Sequence, residues 1–234
     1  MGYQVDRFYP LSGLRGNLLR LGSVTVAYAV ADGVALEVRG DVWRVLSVRE
    51  RGTPHVPLDA GVTDGTTGDV GDFRIATVAR LVGGARGPSA GLDVGVKLPN
   101  SKQARGIGLN TTDFDGSVFG SWGAGRLRIT GEVGIGILTA PLRTFIQDDV
   151  LLYGAEVLWD PDGPGGAPRI ALGIRGRANT RNVVPIGLED EGGVTAGLDW
   201  RRGDWLLDGS VLVGYASNSP DLGLRLGASR LLRL

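Results

Sequence analysis

Between Arg126 and Ile137 the chain changes character at every residue. Leu127, Ile129, Val133, Ile135 and Ile137 fall on one face of an extended segment, and Arg126, Arg128, Thr130 and Glu132 on the other. A helix of 3.6 residues per turn would mix these two sets, so the segment is a strand with one apolar side. The same period returns along the chain. Phe73, Ile75, Ala79 and Leu81 oppose Asp72, Arg74 and Arg80; Ala90, Leu92, Val94 and Val96 oppose Asp93 and Lys97. Leu151, Tyr153, Ala155, Val157 and Trp159 oppose Glu156, and Ile170, Leu172 and Ile174 oppose Arg169, Arg175 and Arg177. Val194, Ala196, Leu198 and Trp200 oppose Asp199 and Arg201. The fold class this dictates is all-β.

A soluble sandwich also alternates, with its apolar face turned to a core and its charged face to water. Three regularities argue instead for a closed barrel with an apolar outside. First, the charged faces are interrupted by Gly91, Gly95, Gly134, Gly136, Gly154, Gly173, Gly197 and Gly214. A convex wet surface has no need of so many small residues, whereas a crowded, curved interior does. Second, the connections alternate in length. Ser47 to Asp69, Asn100 to Thr112, Ala140 to Asp149 and Asn179 to Gly192 are long, with Ala216 to Ser219 a shorter member. Asp32-Gly33, Gly83 to Gly87, Gly123 to Gly125, Asp160 to Ala167 and Arg202-Gly203 are the short set. Short turns on one rim and longer loops on the other characterise outer-membrane barrels. Third, Tyr28, Trp122, Trp159, Trp200 and Trp205 lie on or near the apolar face beside short turns, and Phe73, Phe114, Tyr153 and Tyr215 lie on it towards the long loops. Two aromatic girdles around an aliphatic band suit a bilayer, because amphipathic rings prefer its interfaces.

Eleven strands can be placed, starting near Leu19, Val34, Val70, Pro88, Thr112, Arg126, Val150, Arg169, Val194, Asp204 and Asp221. Single-chain bacterial barrels have even strand numbers, and loop parity puts an outer loop at Pro10 to Gly16. A weak strand near Tyr3 to Tyr9 then makes about 12 strands, with 10 as the alternative. The expectation is a single domain over residues 1–234: a transmembrane, antiparallel, up-and-down β-barrel in a bacterial outer membrane.

Composition closes off other classes. No run of 18 apolar residues is present, which excludes a helical span. With 25 Lys+Arg against 25 Asp+Glu the chain is formally neutral, which argues against a nucleic-acid partner. Cys is absent, removing disulfides, thiolate metal sites and cysteine nucleophiles together. Met1 to Arg7 carries no basic stretch followed by an apolar core, so an exported protein is expected to be met here in mature form.

Val94-Gly95-Val96-Lys97-Leu98-Pro99, then Gly106-Ile107-Gly108-Leu109-Asn110-Thr111-Thr112-Asp113, resemble the outer-membrane transporters grouped under the phenol-degradation MetA-pathway name. That family has a strand ending in such a motif, a glycine-rich loop and an aspartate opening the next strand. Gly71-Asp72 before the strand Phe73 to Leu81, and Ser217-Asn218-Ser219-Pro220-Asp221 followed by Gly223 and Gly227, match it too. The resemblance runs roughly from Val24 to the C-terminus and implies passage of small hydrophobic or aromatic compounds. It departs at Leu231-Leu232-Arg233-Leu234, where barrel proteins usually end in an aromatic that the assembly machinery reads.

Little in the chain promises catalysis. His55 stands alone between Pro54 and Pro57 in the longest loop, without the carboxylate and nucleophile that a hydrolytic triad needs. Gly106-Ile107-Gly108 precedes a strand and not a helix, so it lacks the helix terminus that binds a dinucleotide phosphate. Asp160-Pro161-Asp162-Gly163 and Leu188-Glu189-Asp190-Glu191 have oxygens that suit calcium, but read better as a turn and a solvated acidic loop. No metal site, cofactor or catalytic residue is expected. The lumen is where function is sought. It should receive Glu37, Arg39, Asp41, Arg74, Arg80, Asp93, Lys97, Asp115, Arg126, Arg128, Glu132, Glu156, Arg175, Arg177, Asp199, Arg201, Asp208 and Arg225, with Asp72 beside them. The leading expectation is a passive channel or uptake protein for small solutes, held by outer-membrane lipid and inserted by the barrel-assembly machinery. A structural or interaction barrel with a plugged lumen is the alternative, and an outer-membrane enzyme comes third.

Overall fold

The computed structural model describes residues 1–62, 65–84, 87–142, 147–161 and 168–232. Its strands are β1 (Gly2–Tyr9), β2 (Leu14–Ala31), β3 (Val34–Arg51), β4 (Thr66–Asp69), β5 (Arg74–Gly83), β6 (Ser89–Lys97), β7 (Asp113–Ala124), β8 (Leu127–Thr139), β9 (Gln147–Trp159), β10 (Arg169–Asn179), β11 (Glu191–Arg202), β12 (Trp205–Gly214) and β13 (Leu222–Arg230). Sequential neighbours pair antiparallel, β5 pairs with β3, and β1 pairs with both β2 and β13. The result is a closed barrel of 12 strands, with β4 as a short extra strand on the upper part of β3.

The weak N-terminal strand is thus real and closes the ring. Its presence moves other boundaries. β2 begins at Leu14, not near Leu19, because Leu14, Arg15 and Gly16 pair with Tyr9, Phe8 and Arg7. The outer connection expected over Pro10 to Gly16 shrinks to the turn before Leu14. The expected loop Ser47 to Asp69 holds the end of β3 and all of β4, and the next strand opens at Arg74 instead of Val70. The alternation of short and long connections holds only in part: residues 10–13 make a tight turn on the long-loop side, and residues 160–168 a longer connection on the short-turn side. Asp32-Gly33 closes a two-residue turn with Gly33 at φ 77°, a conformation that favours glycine. The β9–β10 turn, with the segment once considered for calcium, lies partly outside the described residues.

The period of two is interrupted at several points, and two of the interruptions steer the lumen. In β1 the register shifts between Gln4 and Arg7, with Asp6 at φ 55°. In β2, Gly22 takes φ 61° opposite Val42. Arg20 and Ser23 are three residues apart, which would place them on opposite faces of a regular strand. Here both reach Asp41, at 2.8 and 2.6 Å. A Cβ at Gly22 would stand 3.1 Å from Val42 Cβ in a backbone region L-residues avoid. Gly22→Ala should therefore destabilise the barrel by about 1–2 kcal/mol, measurable by urea titration in lipid vesicles.

The N-terminal half of β1 leaves a seam. Met1 exchanges backbone hydrogen bonds with Leu226, and Gly2 pairs with Arg20. Beyond that level, among the described residues, β2 from Gly22 to Ala31 pairs only with β3, and β13 from Gly227 to Arg230 only with β12. Two strand edges face a slot at the short-turn end.

Buried apolar residues collect at the other end. Leu14, Leu18, Leu46, Val62 and Ile107 form one cluster, and Leu138, Ala140, Val150 and Leu188 a second. The long loops knit over them: Ser12 Oγ donates to Gly106 O at 2.7 Å, Thr67 Oγ1 to Arg105 O at 2.8 Å, and Lys102 N to Asp69 at 2.6 Å. Each buried Leu, Val or Ile in the two clusters contributes roughly 1.5–3 kcal/mol.

Candidate functional site: the charged lumen

The strand faces fall as the alternation requires. Val118, Val133, Ile135, Leu172, Val194 and Leu198 are exposed on the outside, and the charged residues between their neighbours point inward. Small residues make room for them. The Arg74 guanidinium lies where a side chain at Gly95 would be, and a Cβ at Gly154 would meet Glu132 at 2.7 Å.

The first lumen cluster is acid-rich and sits on β5, β6 and β7. Arg74 reaches Asp93 at 2.7 Å and forks onto Asp115, with only 10% of its side chain exposed. Above it Lys97 bonds Asp113 at 2.7 Å, Thr111 at 2.9 Å and Asp72 at 3.4 Å. Asp72 also accepts from Ser101 N at 2.9 Å, and Asp113 from Thr139 N at 2.9 Å. Of the motif residues that carried the family resemblance, Asp72, Lys97 and Asp113 therefore converge on one ion cluster that ties three strands to their loops.

The second cluster is base-rich and lines a cavity of about 560 Å³. Arg7, Arg20, Arg39, Arg44, Arg175 and Arg177 face it, against Asp41, Glu132 and Glu191. Leu18, Leu152, Leu212 and Tyr9 supply apolar wall. Arg7 forks between Glu191 and Asn218 O, the latter at 2.5 Å, and Arg177 approaches Glu191 at 3.5 Å. Arg20 grips Asp41 with two bonds of 2.8 and 3.0 Å. Arg44 donates to Val70 O at 3.0 Å, but its Nε is buried without a partner. The Arg175 side chain has no hydrogen bond or ion pair among the described residues.

The remaining expected lumen residues are spread along the wall. Arg39 lies 3.6 Å from Glu37, Arg169 pairs with Asp199 at 3.1 Å, and Arg225 approaches Asp208 at 3.6 Å. Arg80 meets Asp32 at 3.2 Å at the β2–β3 turn. Arg128 sits opposite Gly123 and Leu158, Glu156 opposite Thr130 and Gly173, and Arg201 near the β11–β12 turn. Arg126 is corrected: it lies in the β7–β8 turn and donates to Pro161 O at the rim. The turn ends the ladder at Ala124–Leu127, so the strand alternation does not reach it. The acidic loop is engaged, not merely solvated: Glu189 accepts from Gly187 N, Asp190 from Asn179 N, and Glu191 pairs with Arg7.

Arg7, Tyr9, Arg20, Arg44 and Glu191 were not legible as lumen residues, and Trp43 was missed among the outer aromatics. Trp43 packs over Gly68 and is exposed beside Tyr28, Phe114, Trp122, Trp159, Trp200, Trp205 and Tyr215. Phe73 and Tyr153 are half-buried, lying over Gly40 and Gly176. Arg202 stacks on Trp200 at 4.9 Å and Arg230 on Trp205 at 5.4 Å, anchoring rings at the short-turn rim. Tyr215, one residue beyond β12, shares a 2.7 Å hydrogen bond with Tyr153.

No family model matches the chain, and no curated protein matches it in sequence. Among solved structures it is similar to the COG4313 outer membrane channel from Pseudomonas putida F1, at 16% identity and a TM-score of 0.61, over 98% of this chain and 93% of that one. The likeness is one of fold.

Proposed function

We propose that the chain is an outer-membrane channel through which small solutes pass passively, with their choice set by the lumen charges. The observation that carries this reading is a closed wall with aliphatic and aromatic side chains outside and ion clusters around a cavity inside. Such an exposed apolar belt is far larger than a soluble monomer tolerates, and lipid covers it naturally. The structural likeness to an outer membrane channel supports the same class, and the resemblance to the MetA-pathway transporters points to small aromatic or hydrophobic solutes. On this reading the partners are outer-membrane lipid, the assembly machinery and the solutes, and the chain performs no catalysis.

A second reading has its own support. The apolar clusters and interlocked loops at the long-loop end suit a plugged barrel whose outer loops bind a partner. Conductance separates the two. Protein refolded in detergent and added to a planar bilayer should give discrete current steps under an applied voltage. Folded protein that inserts, shown by heat-modifiable gel mobility, yet carries no current would favour the plugged barrel.

A further inference from the structure

We propose that the base-rich cavity is a binding site for a small organic carboxylate with an apolar body, which names the class of solute for the passage reading above and rests on it. In a chain with no net charge, this one cavity faces six guanidiniums against three carboxylates. With Glu37 pairing Arg39 at 3.6 Å the surplus is two positive charges, and their clustering draws anions. The surplus is also chemically free in part. Arg44 keeps a buried Nε with no partner, and the Arg175 side chain makes no bond among the described residues. The exposed Arg175 guanidinium is open to an acceptor, and a ligand carboxylate is the acceptor whose planar geometry matches its fork.

The wall argues for more than a bare anion. Leu18, Leu152, Leu212 and the Tyr9 ring line the same space, and about 560 Å³ is the size of small-molecule pockets. Inorganic phosphate would use the arginines and leave the apolar wall wet. A neutral aromatic would use the wall and leave the positive charge uncompensated. A carboxylate carried on an apolar ring or short chain answers both.

Benzoate is a suitable probe, because benzyl alcohol has the same ring without the charge. Titration calorimetry on refolded protein in detergent and phosphate-free buffer should show benzoate binding at least about tenfold more tightly than benzyl alcohol, the scale of one charge-assisted hydrogen bond. Arg44→Gln and Arg175→Gln should each weaken benzoate by a similar factor. Equal binding of the alcohol, phosphate binding as tight as benzoate, or a double variant with unchanged affinity would overturn the proposal. If the variants do not refold, the comparison of the three probes on the unmodified protein still decides. Binding needs no current: benzoate bound by a non-conducting barrel would sink the passage reading and keep the site, whereas a conducting barrel that ignores benzoate would do the reverse.

Discussion

Replacing Arg74 with leucine should cost about 3–5 kcal/mol of folding free energy, and most of that loss should return when Asp93 and Asp115 are changed to asparagine in the same chain. The guanidinium sits between two carboxylates on neighbouring strands, nine-tenths buried and resting on the bare backbone of Gly95. Without it two like charges face each other in a space that hydrates them poorly. Neutralising both removes the repulsion, so the recovery distinguishes an electrostatic role from loss of packing. Urea titration of the single and triple variants in lipid vesicles reads the difference. A single variant as stable as the parent would show that lumen water screens the triad.

The second large effect tests the outer face. Val133 is exposed in the middle of β8, between Val118 and Tyr153, and Val133→Arg should cost about 2–4 kcal/mol of stability in a bilayer. Thr130 points into the lumen opposite Ser121 and Glu156. Thr130→Arg should change stability by about 0.5 kcal/mol or less, because the lumen accepts charge. Folding yield and urea midpoint of the two variants make the comparison. If Thr130→Arg blocks folding and Val133→Arg does not, the two faces have been exchanged.

Why the acid-rich cluster was legible and the base-rich cavity only partly so has a local cause. Arg74, Asp93, Lys97 and Asp115 lie on stretches of unbroken register, the shift in β5 falling only beyond Arg80, so counting by twos finds their faces. Arg7 and Tyr9 lie beyond the shift after Gln4, and Arg20 and Arg44 lie beyond the break at Gly22 and Val42. Counting from either side of such a break puts the far residues on the wrong face. The signals were faint but present: a lone glycine inside a strand, and the adjacent apolar pair Val42-Trp43, both exposed. β1 itself was weak for the same reason, since Gly2 to Tyr9 holds a register shift within eight residues. The interlocking of the long loops through Ser12, Thr67 and Asp69 joins residues far apart in the chain, and no local pattern announces it.

The slot between β2 and β13 gives this wall a property that a fully laddered barrel lacks. Among the described residues, alternate amides and carbonyls along Gly22–Ala31 and Gly227–Arg230 have no strand opposite them, and hydrocarbon would offer them no partner. In the proposed bilayer hydration would be the remaining answer, and the lumen would be its source. Embedded as proposed, the barrel would bring its internal water column to the edge of the lipid along one vertical line. The inner leaflet would thin or part there and stay intact around the rest of the circumference.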